Sequence, residues 1–483
     1  MKKNSLFVMS ILMLASTLPM ASCFGGKKSN PNKLNVICLN LGYGREWIDE
    51  AVKIWEAENE GYKVNLDATA DAKAVISGNI SKRNNQDDVY ISVGADWMSY
   101  AGQGRLLELD DLLNETVDGM NFRDKINDEY KDSIYFKNKE GEQHTYRLPW
   151  TAGIGGIMYN AKMFADNHWN IPTTVAELIE LCEYIVNNPI DADPTDPTGG
   201  NVYPFSYTGA NTDYFDYTVF NWWSQIVGLD AINSFKDYTK DSKTNFDASQ
   251  NTTYAGLKTA TQAWWDIFSQ KKDAKDNPYY YANPEDISAS NHDAQKNFLN
   301  GKAAMMFNAD WLYNEMLTYV STHKLDPNKF QLGIMPTPKI SAEMPNNGYI
   351  IGEDQYIAVP ASTSKPELAK SFIKTLVSDR VLNIFADKAH GMMAYKLSSG
   401  KYTTEDTYVK SIETYRNNLA GTFTNFSSSP LFLNGYVDFW GAKSGRPFLQ
   451  LLQGTTDDID HAFEKIYDNV DRQWDTWVRN SNM

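Results

Sequence analysis

The side chains with the clearest capacity for binding chemistry are tryptophans set beside acids, amides and glycine. They occur as Asp96-Trp97, Asn221-Trp222-Trp223, Asp310-Trp311 and Phe439-Trp440-Gly441, in a chain with 13 Trp and 28 Tyr. Aromatic faces next to polar groups suit sugar rings, which offer C–H surfaces to stack and hydroxyls to bond. Large proteins also use Trp as core filler, so each ring carries both readings. A second centre of reactivity is the thiol of Cys23. It closes a segment with Lys2 and Lys3, an apolar stretch from Leu6 to Leu18, and then Pro19-Met20-Ala21-Ser22-Cys23. That order describes an export signal, and a cysteine at the first mature position makes it a bacterial lipoprotein signal, in which Cys23 takes a diacylglyceryl group. Met20 stands where the motif usually has Leu, and an ordinary secretory signal is the alternative. Both place the chain outside the cytoplasm.

Residues 24–32 are rich in Gly, Lys, Ser and Asn and read as a flexible tether. No later segment offers the ~20 continuous apolar residues of a membrane-spanning helix. The expectation is a protein lipid-anchored to the bacterial membrane, not one that crosses it. Cleavage after residue 22 leaves 461 of the 483 residues, enough for two domains or more. The formal charge of −16, and a pI near 4.9, exclude a basic footprint for nucleic acid. Cys38 and Cys182 read as buried thiols, with a disulfide between them as the alternative. The six histidines do not cluster, and the acidic loop from Asp191 to Gly200 does not fit an EF-hand, so neither metal nor cofactor is expected.

The elements that must position these groups follow from periodicity. Lys33–Leu39 reads as a buried strand, and Trp47, Ile48, Ala51, Val52 and Trp55 repeat at helical spacing. Val64–Leu66 and Asp88–Val93 are further strands, and this alternation makes a parallel α/β sheet. Ligand loops in such sheets gather at the carboxyl ends of strands, which nominates Asn40–Gly44 and Gly94–Trp97. The run Leu148-Pro149-Trp150, followed by Gly153, Gly155 and Gly156, reads as a tight crossover with Trp150 as a ligand candidate. It lacks the arrangement of a dinucleotide or phosphate loop. Helices are expected over Leu178–Ile185, Thr259–Phe268, Pro366–Val377 and Asp457–Trp477, with a further helix after Asp310-Trp311. Strands are expected after Gly301, at Leu332–Met335 and at Gln355–Val359.

Four stretches, in this order, resemble extracellular solute-binding proteins of the carbohydrate ABC-importer class (family 1), the group that includes maltose-binding protein. They are Tyr100-Ala-Gly-Gln-Gly-Arg-Leu-Leu-Glu-Leu, Leu148-Pro149-Trp150 through Tyr159-Asn160 with Met163-Phe164, Phe298-Leu-Asn-Gly-Lys-Ala-Ala-Met with Asp310-Trp311, and Tyr356-Ile-Ala-Val-Pro-Ala-Ser followed by Lys-Pro-Glu-Leu-Ala. The likeness covers residues 33 to about 480. It implies a two-lobed α/β fold of the periplasmic-binding-protein type (type II), each lobe a mixed sheet flanked by helices, with a ligand cleft between them. Lobe one would hold residues 33–148 and 336–378, and lobe two 149–335 and 379–483. By position, Trp311 matches the sugar-stacking tryptophan, Tyr43, Asp96, Trp97 and Tyr214 fall at ligand loops, and Trp440 sits where a late aromatic closes the cleft. Asp310 replaces a usual Gly, and Gly352-Glu353-Asp354 replaces a usual Gly-Gly. Trp150, Trp311 and Trp440 would stack on rings, while Asp96, Asp310 and Asp354 would accept hydroxyl hydrogen bonds. The resemblance implies a monomeric, non-enzymatic carbohydrate receptor, expected to bind an oligosaccharide and hand it to an ABC permease. Alternatives are a peptide, polyamine or metal–chelate ligand on the same fold, or a surface glycoside hydrolase, which needs two carboxylates flanking one bond.

Overall fold

The apolar runs read as strands collect into two sheets in the computed structural model of the protein. It describes residues 30–480 apart from 95, 138–140, 193–199, 237–247, 324–329, 352–354, 425–445 and 457. The first sheet has the strand order Lys63–Thr69, Lys33–Leu39, Val89–Val93, Gln355–Ala358, Leu148–Pro149. Its first three strands are parallel, with Val36 opposite both Leu66 and Val89. Gln355–Ala358 runs antiparallel to Val89–Val93 and to Leu148–Pro149. Central strands of such a sheet are covered on both faces, which explains why Leu34, Val36, Ile37 and Cys38 are all buried. The edge strand Lys63–Thr69 instead alternates between more and less exposed residues.

Helix Glu46–Glu58 covers one face of this sheet through Trp47, Ile48, Ala51, Ile54 and Trp55, an i, i+1, i+4, i+7, i+8 stripe. The helix Asp379–Ala389, expected in the second lobe, packs against Glu46–Glu58 in the first. Its apolar face carries Val381, Leu382 and Phe385, and the Phe385 ring meets Trp47 at 5.1 Å and Tyr43 at 5.2 Å.

The second sheet has the order Tyr203–Ser206, Ala303–Ala309, Gly155–Asn160, Leu332–Met335. Every residue of Ala303–Ala309 is buried, and its register puts Met306 opposite Met158, which faces Ile334 on the other side. Helices Val175–Asn187, Asp216–Val227 and Thr252–Phe268 pack around this sheet with Phe448, Phe463 and Trp474 of the C-terminal helices. Cys38 and Cys182 are both free, buried in different cores, so the disulfide alternative falls. Among the described residues no helix is long and apolar enough to cross a membrane.

The chain passes between the sheets along a narrow strip. Thr151 bridges to Met393 and Ile154 to Ile350, while Asn347–Ile350 pairs in parallel with Gly421–Thr424. Backbone bonds from Ala152 to Met392, from Ala394 to Trp150 and from Ile351 to Gly153 tie these passages side by side. Gly155 is required here by space, since a Cβ would lie 2.8 Å from the Tyr217 Cβ and 2.9 Å from Ile351. The glycine-rich run is therefore the tight crossover its sequence predicts.

Candidate functional site

Where the two sheets meet, the turn after Lys33–Leu39 touches the residues after Ala303–Ala309. Gly42, at φ +74°, packs against Trp311, where a Cβ would make ordinary contact at 3.5 Å with the Trp311 Cβ. A side chain at that φ would be strained. Asn314, on the helix Leu312–His323, donates from Nδ2 to the Gly42 carbonyl at 3.0 Å. Tyr43 donates its hydroxyl to Asp310 Oδ1 at 3.2 Å. Strand ends from the two lobes thus face each other through Gly42, Tyr43, Asp310, Trp311 and Asn314.

Trp311 is partly exposed and packs against both hydrophobic cores, which puts its ring at their junction. Tyr217 meets it edge-on at 5.5 Å, and Tyr214 stacks obliquely on Tyr217 at 5.3 Å. The Tyr214 hydroxyl accepts from Asn291 at 3.3 Å, and hydrogen-bonds Trp311 as well. Burial, then the Glu315 charge, pushes Tyr214 up to about 12. Glu315, one turn beyond Trp311, accepts from Gln295 at 2.7 Å, and its own burial raises its pKa. The result is an aromatic shelf edged by a carboxyl group and amides, able to stack on a ring and bond its hydroxyls.

The nine predicted ligand residues separate on this geometry. Tyr43, Asp310, Trp311 and Tyr214 come together at the junction. Asp96 lies after Val89–Val93, partly exposed and 3.2 Å from Lys73. Trp97 is 2% exposed, stacked by the Arg147 guanidinium at 5.0 Å, and belongs to the first core. Trp150, 1% exposed, packs between Trp47 at 5.9 Å and Tyr43 at 6.0 Å, so its ring offers almost no accessible face. Asp354, Trp440 and the lipidation candidate Cys23 lie outside the described residues, as does most of the acidic loop after Asp191. Sequence reasoning missed Tyr217, Asn291, Gln295, Asn314 and Glu315. The i, i+3 pair Tyr214/Tyr217 and the i, i+4 pair Asn291/Gln295 were readable signals of a shared face.

Two other features stand apart from the junction. A cavity of about 780 Å³ lies within the second lobe, beside Tyr203, Ser206, Tyr280, Asp286 and Asn297. No first-sheet residue lines it, and the Asp286 carboxylate is already bonded by Ser206, Asn297 and the Tyr207 amide. The junction, which brings strand ends of both lobes together, is the better site on chemical grounds. On the first-lobe surface His144 sits 2.6 Å from Asp110 and 3.7 Å from Glu108. The hydrogen bond to Asp110 holds its pKa above the ordinary histidine value, as expected of an exposed imidazole–carboxylate pair.

Two α/β lobes, joined by passages paired side by side and meeting through strand-end loops, define the fold of a two-lobed solute receptor. The profile of the bacterial extracellular solute-binding proteins matches residues 42–382, and the chain belongs to that family. A multiple sugar-binding protein of Streptococcus mutans is 22% identical over 394 residues, spanning 80% of this chain and 82% of that protein. RafE of Streptococcus pneumoniae superposes with a TM-score of 0.62 at 15% identity, covering 93% of this chain and 98% of RafE. A Bacillus licheniformis sugar transporter, solved with stachyose, gives a TM-score of 0.57 at 19% identity, over 91% and 100% of the two chains. These likenesses carry the two-lobed fold.

Proposed function

We propose that the protein is the carbohydrate receptor of an ABC importer, held outside the cytoplasm by a lipid on Cys23. It takes an oligosaccharide between its lobes and releases it to the permease, with no chemistry performed on the sugar. The observation that carries this reading is Trp311, partly exposed where both cores meet, with Tyr214, Tyr217 and Glu315 beside it. The ring supplies the stacking face, while Glu315 and Asp96 accept hydroxyl hydrogen bonds. Asp354 and Trp440, outside the described residues, remain ligand candidates on the family resemblance alone, and Trp97 and Trp150 are proposed to brace the walls of the cleft. Support also comes from relatives described as sugar-binding, among them RafE in complex with raffinose. Ligand touching both lobes favours the closed arrangement by its differential affinity.

Titrating the purified mature chain with a panel of raffinose-type, gluco-, xylo- and chito-oligosaccharides, read by tryptophan fluorescence and native mass spectrometry, tests this. At least one sugar is expected to bind; silence across the whole panel would count decisively against the reading. In the same cells, Cys23→Ala is expected to bind sugar normally yet leave the membrane fraction, and its retention in washed membranes overturns the lipid anchor alone.

A further inference from the structure

The contact between the lobes is built around one carboxyl group. Asp310 ends the Ala303–Ala309 strand of the second sheet, and Tyr43 lies in the turn that leaves the first. Besides donating to Asp310, the Tyr43 hydroxyl is hydrogen-bonded by Thr151 of the crossing strip. Gly153 lies directly beneath: a Cβ there would stand 3.2 Å from the Tyr43 hydroxyl and 3.4 Å from Asp310 Oδ1. The second carboxyl oxygen, Oδ2, is buried with no hydrogen-bond partner among the described residues. An ionised carboxylate tolerates such a position badly, whereas a neutral carboxyl tolerates it far better.

The groups around Asp310 come from several elements. Tyr43 approaches from the first lobe. Tyr408, on the helix Thr407–Asn417, donates to the Asp310 carbonyl at 3.0 Å, and behind it stand Tyr313 and His390, which is paired with Asp406. Arg416, on the same helix, is already engaged by Glu129 and the Ala152 carbonyl. Burial pushes the Asp310 pKa up to about 7, a rise that the Tyr43 hydroxyl, the Arg416 charge and the backbone N–H groups of Ile154 and of Asp310 itself only partly oppose.

We propose that Tyr43 and Asp310 form a proton-dependent latch between the lobes, closed when the carboxyl is neutral and released when it ionises and seeks water. The proposal rests on the two-lobed receptor reading but needs no particular ligand. Its sign follows from linkage. In an opened molecule a solvated Asp310 ionises in the ordinary carboxylate range, so the closed form holds the extra proton between about pH 4 and pH 7. Closure is therefore favoured as pH falls through 7 and levels off near 4. Inside that window the closed-to-open ratio changes by up to about tenfold per pH unit.

The test uses the full mature chain without sugar, carrying one fluorophore on each lobe, with the interlobe distance read by single-molecule energy transfer from pH 5.5 to 8. The wild type is expected to lose closed population several-fold across that range. Asp310→Asn, neutral at every pH, is expected to give a flat profile, which separates this carboxyl from His390. Tyr43→Phe is expected to lower closure at every pH. A wild-type profile that does not move overturns the latch, even if Asp310→Asn cannot be folded. A profile that moves equally in Asp310→Asn overturns it too. Failure of sugar binding leaves both outcomes readable, because no sugar is present.

Discussion

Trp150 opens the passage out of the first sheet and Trp311 follows a strand of the second, and both rest against the same turn, Asn40–Gly44. Trp150 lies between Trp47 and Tyr43 and is all but excluded from solvent. Trp311 keeps part of its ring exposed and reaches both cores, with its neighbours Tyr214 and Tyr217 meeting it from one lobe. The same residue type, after Pro149 in one case and after Asp310 in the other, thus fills a core in one place and lines a junction in the other. What separates them is the number of hydrophobic cores that touch the ring: Trp150 lies within one, and Trp311 packs against two with part of its ring exposed.

Substitutions can break that distinction at either end. Trp150→Ala should have the largest effect, removing about 3–5 kcal/mol of stability as a buried aromatic deletion does. Urea unfolding measures it, and a loss under about 1.5 kcal/mol would mean the ring is less enclosed than its packing indicates. Trp311→Ala should cost about 2 kcal/mol of sugar affinity, or some 30-fold, while shifting the unfolding free energy by less than about 1 kcal/mol. Calorimetric titration beside the same unfolding experiment decides it; a stability loss with unchanged affinity would move Trp311 into the Trp150 category. The smallest effect is expected at Lys73, an exposed residue whose partner Asp96 is the partly exposed first residue of the helix Asp96–Gly102. Lys73→Ala should change stability by less than about 0.5 kcal/mol, as surface ion pairs do. A larger, salt-insensitive loss would show that this helix start is braced and belongs with the core side of the comparison.

Much of the fold was legible because its signals are local. The apolar run Lys33–Leu39 and the helical stripe from Trp47 to Trp55 appear as read, since periodicity of 2 or 3.6 is carried by adjacent residues. The boundary after residue 378 came from the resemblance, and the pattern of Asp379–Ala389 shows only that one face is apolar, not that Trp47 and Tyr43 cover it. The site was less legible for the same reason. Tyr43 and Asp310 are 267 residues apart, and nothing near either predicts their hydrogen bond. The burial of Trp97 depends on Arg147 and Phe136, from distant segments. Trp311 could be singled out by motif, whereas the spacings of Tyr214/Tyr217 and Asn291/Gln295 show only that each pair shares a face, not that both faces meet at Trp311.

The strip joining the lobes has a mechanical consequence. Because its passages are hydrogen-bonded edge to edge, at Thr151 with Met393 and at Ile154 with Ile350, it behaves as a ribbon and not as independent strings. A ribbon flexes readily about the line across its width but resists shear within its plane and torsion along its length. Of the six rigid-body freedoms one lobe has against the other, the joint leaves essentially one soft. On the proposed receptor reading, the Trp311 ring would then return to the same place against the Asn40–Gly44 turn each time the lobes close, so that one aromatic face would meet every ligand in one orientation.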